Sequence, residues 1–291
     1  MLAQLGGVAT RAQLEEHVSR TDLQRALDSG AVVRPARGRF ALPAVDEARV
    51  RAHALSATVS LRSAALLHGW AVKDSPRSPD VTLARNRRLS RGQSAGVTVH
   101  RADLGVDDVS RLGGTRVTST DRTLVDCLRL LPADQALAVA DSALRAGVTP
   151  ARLRRLADGI AGPGRPRARE LARQADGRAA NPFESVLRAI ALGVTGLRVV
   201  PQVDLWRGAT FLGRPDLVDR DRGIVLEADS FTWHGDRAAL AHDCRRYDEL
   251  VVAGWMVLRF AYEQVMGDPG WVRWILQEAT KERTVRDSRT A

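Results

Sequence analysis

Residues 213–229 read GRPDLVDRDRGIVLEAD. The apolar runs Leu217-Val218 and Ile224-Val225-Leu226 flank a short polar turn, so the stretch predicts two strands folded back on each other. The second strand ends on two acids, Glu227 and Asp229, and a third, Asp216, precedes the first. A charge in such apolar surroundings is expensive unless something compensates it. A turn centred between Asp221 and Arg222 places Asp216 directly across from Glu227. Side chains alternate faces along a strand, so Asp229 shares a face with Glu227. Opposed residues hold their Cβ atoms about 4.5–5.5 Å apart, and three carboxylates are expected to converge on one patch. Crowded carboxylates repel each other and hold protons more tightly. A divalent cation removes the repulsion. Mg²⁺ (or Mn²⁺) is the expected cofactor, because it prefers oxygen ligands and keeps several waters. Such an ion activates water and stabilises charge on a phosphodiester. Ion pairs with arginines such as Arg214, Arg237 or Arg245 are the other way to compensate the acids.

The surrounding segment, 180–280, alternates helices and strands. NPFESVLRAIALG (181–193) predicts a helix with Pro182 in its first turn and an apolar stripe of Phe183, Val186, Leu187 and Ile190. LRVVPQVDL (197–205), FLGRPDLVD (211–219) and GIVLEAD (223–229) are strand candidates. Residues 236–253 predict a helix with Leu240, Cys244, Tyr247 and Val251 inside; WMVLRF (255–260) is a buried strand, and 263–279 closes as a helix.

Pro215-Asp216 and Glu227-Ala228-Asp229 resemble the motif of the PD-(D/E)xK nuclease superfamily. More narrowly, VLEAD…WHGD…HDCRRYDELVVAGWMVLRF resembles nuclease-like domains related to very-short-patch-repair endonucleases. The resemblance implies a restriction-endonuclease-like α/β domain with a mixed central sheet. It implies metal ligands at Asp216, Glu227 and Asp229, and His234 as general base or phosphate contact. Glu184 corresponds to an acid near such sites, and Asp243, Arg245 and Arg246 would flank the cleft. Phe231 and Trp233 read as cleft wall or core rather than as DNA wedges. Two departures stand out: Asp229 replaces the lysine of E-x-K, as an acid does in the narrower relatives, and Ser230 replaces a frequent glycine.

Residues 1–45 have a different character. TRAQLEEH (10–17) predicts a helix capped by Thr10 with Gln13 three residues on, and SRTDLQRALDSG (19–30) predicts a second helix stopped by Gly30. AVVRPARGRFALP (31–43) then reads as a hairpin turning near Arg37-Gly38. Helix, turn, helix and basic hairpin is the order of a winged helix-turn-helix. Arg20, Gln24 and Arg25 on the second helix, with Arg34, Arg37 and Arg39 on the wing, are the candidate DNA contacts.

The middle region, 46–160, predicts an α/β domain. RAHALSATVSLRSAALLHGWAV (51–72) reads as helical, DVTLAR (80–85) and GVTVHRADL (96–104) as strands, and TSTDRTLVDCLRLLP (118–132) and ALAVADSALRAGV (136–148) as helices. His68 and His100 are isolated in sequence and read as packing or surface residues. The N-terminal winged helix, with SAALLHGW, VTVHRADL and VTSTDRTLVDCLRLLP after it, resembles AbiEi-type (type IV toxin-antitoxin) antitoxins over roughly 1–150. That resemblance implies promoter binding and a cognate toxin partner. AGPGRPRARE (161–170) opens an expected linker, 161–179, and 281–291 is expected to be a disordered tail.

The net charge of +10 favours a polyanionic partner, although a chain with only Lys73 and Lys281 as lysines also fits a GC-rich coding bias. The two cysteines, Cys127 and Cys244, have no C-x-x-C spacing, which argues against a zinc site or disulfide framework and for a reducing, cytoplasmic setting. No run approaches eighteen apolar residues, so no membrane span is expected. The expectation is an α+β multidomain, DNA-binding, metal-dependent endonuclease acting in repair, phage defence or a toxin-antitoxin setting. The second reading is a non-catalytic, antitoxin-like repressor with an idle nuclease fold. The oligomeric state is not written in the sequence.

Overall fold

The computed structural model describes residues 1–229 and 237–289, with side chains for 1–229 and 243–283. The chain divides into two compact units, Met1–Leu131 with Leu153–Arg169, and Pro132–Arg152 with Glu170–Ala291.

The first unit opens with β1 (Val8–Thr10), α1 (Arg11–Glu15), α2 (Arg20–Asp28), β2 (Val33–Ala36) and β3 (Arg39–Ala41). The predicted capping box forms: the Gln13 amide donates to Thr10 Oγ1, and the Thr10 amide to Gln13 Oε1. Gly30 takes φ +72 and ends α2, a conformation that glycine adopts without steric cost. The helix-turn-helix-hairpin order is present. β1 was not anticipated; it pairs antiparallel with β3, so the sheet order is β1-β3-β2. Leu14, Leu23 and Phe40 fill the small core beneath.

Next come α3 (Glu47–Leu55), β4 (Thr58–Val59), α4 (Leu61–Leu67), β5 (Asp80–Leu83), α5 (Arg91–Ser94), β6 (Thr98–Arg101), β7 (Val109–Leu112), β8 (Thr115–Thr118) and α6 (Thr120–Leu130). The sheet order is β6-β5-β4-β8-β7. The continuous helical reading of 51–72 is corrected here. Ser56 and Leu61 adopt positive φ, and between them β4 pairs antiparallel with β5 and parallel with β8. Val59 is fully buried in that central position. Tertiary pairing overrides the helical preference of a stretch rich in small residues.

The chain continues as α7 (Ala133–Arg145), α8 (Pro150–Gly159), α9 (Arg165–Gln174) and α10 (Pro182–Leu192). α9 falls inside the expected linker, because Ala168, Leu171 and Ala172 recur at helical spacing and are buried. The second unit is completed by β9 (Val200–Pro201), β10 (Leu205–Arg207), β11 (Thr210–Gly213), β12 (Leu217–Asp219), β13 (Ile224–Asp229), α11 (Arg237–Val252), β14 (Met256–Ala261), α12 (Tyr262–Gly267) and α13 (Pro269–Arg289). α13 runs through most of 281–291, the stretch expected as a disordered tail.

The central sheet of this unit is mixed, in the order β14-β13-β12-β9, with β13 antiparallel to β12 and parallel to β14. Its two faces feed two cores. Leu217, Ile224 and Leu226 pack with α10 and α13 residues such as Leu187 and Leu276. Val218 and Val225 pack with Leu205, Leu212 and Leu250. This is period-two alternation with both faces covered. On α11 the inner phase is shifted from expectation. Leu250 is buried and Tyr247 half-buried, whereas Cys244 and Val251 are exposed. α10 starts as predicted, with Asn181 as N-cap accepting from the Glu184 amide and Pro182 in the first turn. Within the same unit, Arg188 of α10 reaches Asp141 of α7 with Nη2 at 2.7 and 2.6 Å from its two oxygens.

Candidate functional site

The β12–β13 hairpin has the register that the turn position dictates. Leu217 pairs with Leu226, Val218 with Val225 and Asp219 with Ile224. Asp219, fully buried, holds the turn by accepting from the Arg222 and Arg198 amides. Extending the register by one residue sets Asp216 across from Glu227, on the Val218/Val225 face and toward α11. The Asp216 amide donates to Glu227 Oε2 at 3.4 Å, and the Ala228 amide donates to Asp216 Oδ2 at 2.8 Å. Glu227 is only 5% exposed.

Two further groups complete the acid pair. Gln202 donates through Nε2 to both Asp216 Oδ1 and Glu184 Oε2, each at 3.1 Å. It does so from a left-handed backbone conformation, φ +53, that costs a non-glycine residue free energy. Glu184, buried at the start of α10, also accepts from the Ala180 amide and Asn181 Nδ2. On the other side, Arg246 Nη1 donates to Glu227 Oε1 at 2.9 Å and Nη2 to the Tyr247 hydroxyl. The Tyr247 ring lies under the guanidiniums of both Arg246 and Arg259, 4.8 and 4.2 Å from its centroid.

Electrostatics follow from this crowding. Burial, then the Asp216 charge, push Glu227 up to about 7, against the pull of Arg246. Burial also raises Asp216, although the Ala228 amide favours its charged form. Burial and the Asp216 charge raise Glu184. The site therefore holds negative charge at a cost that a cation would relieve.

The expected three-acid patch is present only as a pair. Asp229 lies on the same face but is engaged in an ion pair with Arg259 of β14. Arg259 stands opposite Glu227 in the parallel register, two residues from Asp229's own partner Ala261, and its long side chain reaches Asp229 instead. Among the described residues no group of three histidines, cysteines or acids is arranged to hold a metal ion. A pair of carboxylates is a donor set that suits Mg²⁺, which takes one or two of them and keeps water in its other positions, provided that Arg246 gives up Glu227 Oε1. Asp216 and Glu227 would hold it, and the chemistry it supplies is water activation and charge stabilisation.

Asp243 and Arg245 sit on α11 and line, with Arg246, Phe211 and Arg214, an open cavity of about 530 Å³. His234, Phe231, Trp233 and Ser230 lie outside the described residues. Gln202 and Tyr247 were not anticipated as site residues. A lone glutamine in a strand-like run carries no sequence signal, and Tyr247 read as core.

In the first unit, Arg20 and Arg25 are largely exposed, and each reaches an acid, Glu15 and Asp22. Gln24 donates to Asp28. Arg34 and Arg37 are exposed on the hairpin, whereas Arg39 is half-buried and donates to Ser56 Oγ. His68 bonds the Thr118 carbonyl, and His100 bonds buried Asp80, which also receives Arg62. Among the described residues no helix is long and apolar enough to cross a membrane.

Residues 57–173 match the family model described as the AbiEi antitoxin C-terminal domain. No curated protein matches the chain. Among solved structures, the crystal structure of the RV2827C protein from Mycobacterium tuberculosis is similar, with TM-score 0.39 and 16% identity, over 71% of this chain and 88% of that one.

Proposed function

We propose that this is a DNA-binding protein of the toxin-antitoxin kind whose second unit hydrolyses phosphodiester bonds with a divalent cation held by Asp216 and Glu227. The observation that carries the enzymatic part is the buried, register-opposed pair, with Glu227 pushed up to about 7. Two carboxylates held this close while buried repel each other, and stability alone gives no reason to keep both. Glu184 and Gln202 position Asp216. His234 is the proposed proton-transfer partner and Asp229 a further ligand once released by Arg259. The antitoxin likeness of residues 57–173 supports a toxin partner. The exposed Arg20, Arg25, Arg34 and Arg37 support DNA contact through a winged helix. Partly exposed ion pairs such as Arg25–Asp22 cost little to break, so those guanidiniums remain available to phosphates.

One observation favours the second reading, an antitoxin-like repressor with an idle nuclease fold: Arg246 and Arg259 already neutralise Glu227 and Asp229. The deciding experiment is plasmid and single-strand cleavage with Mg²⁺, Mn²⁺ or EDTA, beside Asp216→Ala and Glu227→Ala chains checked for folding. Metal-dependent cutting lost in both variants supports the enzyme. Tight DNA binding without cutting, unchanged in both variants, supports the repressor.

A further inference from the structure

We propose that the β10–β11 hairpin is a stacking platform that seats an unpaired base of a single-stranded nucleic acid beside the Asp216–Glu227 pair. The proposal deepens the nuclease reading and rests on it for its biological meaning, but not for its test. Trp206 and Phe211 stand opposite each other in the hairpin register, with ring centroids 4.9 Å apart and planes tilted by 57°. They are 59% and 49% exposed. Their chain neighbours Leu205 and Leu212 point the other way, into the sheet core with Val218, Val225 and Leu250. The hairpin is thus anchored by its inner face and presents two large aromatic rings on its outer face, where polar residues are expected. Exposed aromatic surface of this kind marks a binding site.

Charge and continuity identify the occupant. Phe211 lines the same cavity as Arg214, Arg245 and Arg246, and Arg246 is the residue that donates to Glu227. The path from platform to carboxylates therefore runs past three guanidiniums, the combination of aromatic faces and cations that tracks a nucleic-acid strand. Asp243 and Glu249 share the wall, and Arg214 is forked onto Asp204, so part of that charge is offset. Phosphate attraction alone is then weak, and stacking carries the contact. A paired base has both faces covered by its neighbours, so an unpaired base is the partner that fits.

The test uses the full-length chain in EDTA, so that binding is read without cutting. Fluorescence anisotropy follows a labelled oligo-dT, a duplex of equal length, and an oligo-dT with abasic positions. Trp206→Ala and Phe211→Ala are each expected to weaken oligo-dT binding about 10-fold, the size of one lost base-aromatic stack. Trp206→Tyr is expected to keep most of the affinity, and duplex binding is expected to stay within about 2-fold. The wild-type chain should bind the abasic strand as weakly as Trp206→Ala binds oligo-dT. Unchanged oligo-dT binding by Trp206→Ala overturns the proposal. So does an equal loss on oligo-dT, duplex and abasic strand, or a change in oligomeric state with oligo-dT binding intact. A chain that stacks bases through Trp206 but never cuts refutes only the nuclease reading. A chain that cuts single strands equally well with and without Trp206 refutes only the platform.

Discussion

Glu227→Gln gives the sharpest physical check on the acid pair. Burial and the Asp216 charge raise Glu227 from its ordinary 4.5 to about 7. One pKa unit corresponds to about 1.4 kcal/mol, so the shift amounts to about 3 kcal/mol of folding free energy. The folded chain binds this proton more tightly than the unfolded chain. The stabilisation is therefore fully present below 4.5 and is lost as pH rises through about 7. Asp216 and Glu227 titrate together, so the figure belongs to the pair. Glutamine has the same shape and does not titrate. Urea unfolding followed by circular dichroism, in EDTA from about pH 4 to about pH 8, gives the free-energy difference between variant and wild type. That difference is expected to move in the variant's favour by about 3 kcal/mol across the range, with most of the change between 4.5 and 7. Groups that do not sense Glu227 cancel in the difference, and the response of Asp216 is included in it. At the alkaline end Mg²⁺ should restore stability to the wild type and do little for the variant. A difference that stays flat with pH would refute the buried-pair reasoning outright.

Other outcomes follow from separate parts of the molecule. Arg188→Met leaves the fully buried Asp141 without its ion-pair partner and is expected to cost about 3–5 kcal/mol in urea unfolding; adding Asp141→Asn, which keeps an acceptor for the Asp176 amide, should recover much of it. Arg20→Ala with Arg25→Ala should lower duplex affinity and reduce the salt slope by about 2, without a change in melting temperature. Cys127 is fully buried, and burial pushes its thiol up, whereas Cys244 is exposed. A thiol reagent should therefore titrate one cysteine in the native chain and both in denaturant.

The acid pair was legible because a hairpin with a known turn position has a fixed register, and residues 217–226 alternate without a bulge. The face of the third acid was legible too, but its ion-pair partner was not, for a complementary reason. Which cation Asp229 meets depends on β14, whose register against β13 is set by a long connection that no local rule fixes. Gln202 was invisible because its role comes from a positive φ that its neighbours do not announce. β4 was hidden in a run of alanines and leucines that reads as helix until β5 and β8 claim it. The capping box of α1, by contrast, needs only Thr10 and Gln13, four residues of chain in all, and appeared as read.

The parallel pairing of β13 with β14 also sets an order of events. Antiparallel β12–β13 closes through a short turn, but Ile224 meets Met256 only after the intervening chain has been made and folded back. Contacts of such long sequence separation form slowly. On the ribosome, where chains emerge N-terminus first, the first unit's sheets and α1–α2 can assemble while β13 is still an open edge. Arg246 and Arg259 reach the acids late, so Glu227 and Asp229 stay without their arginine partners until α11 and β14 have been made and folded back.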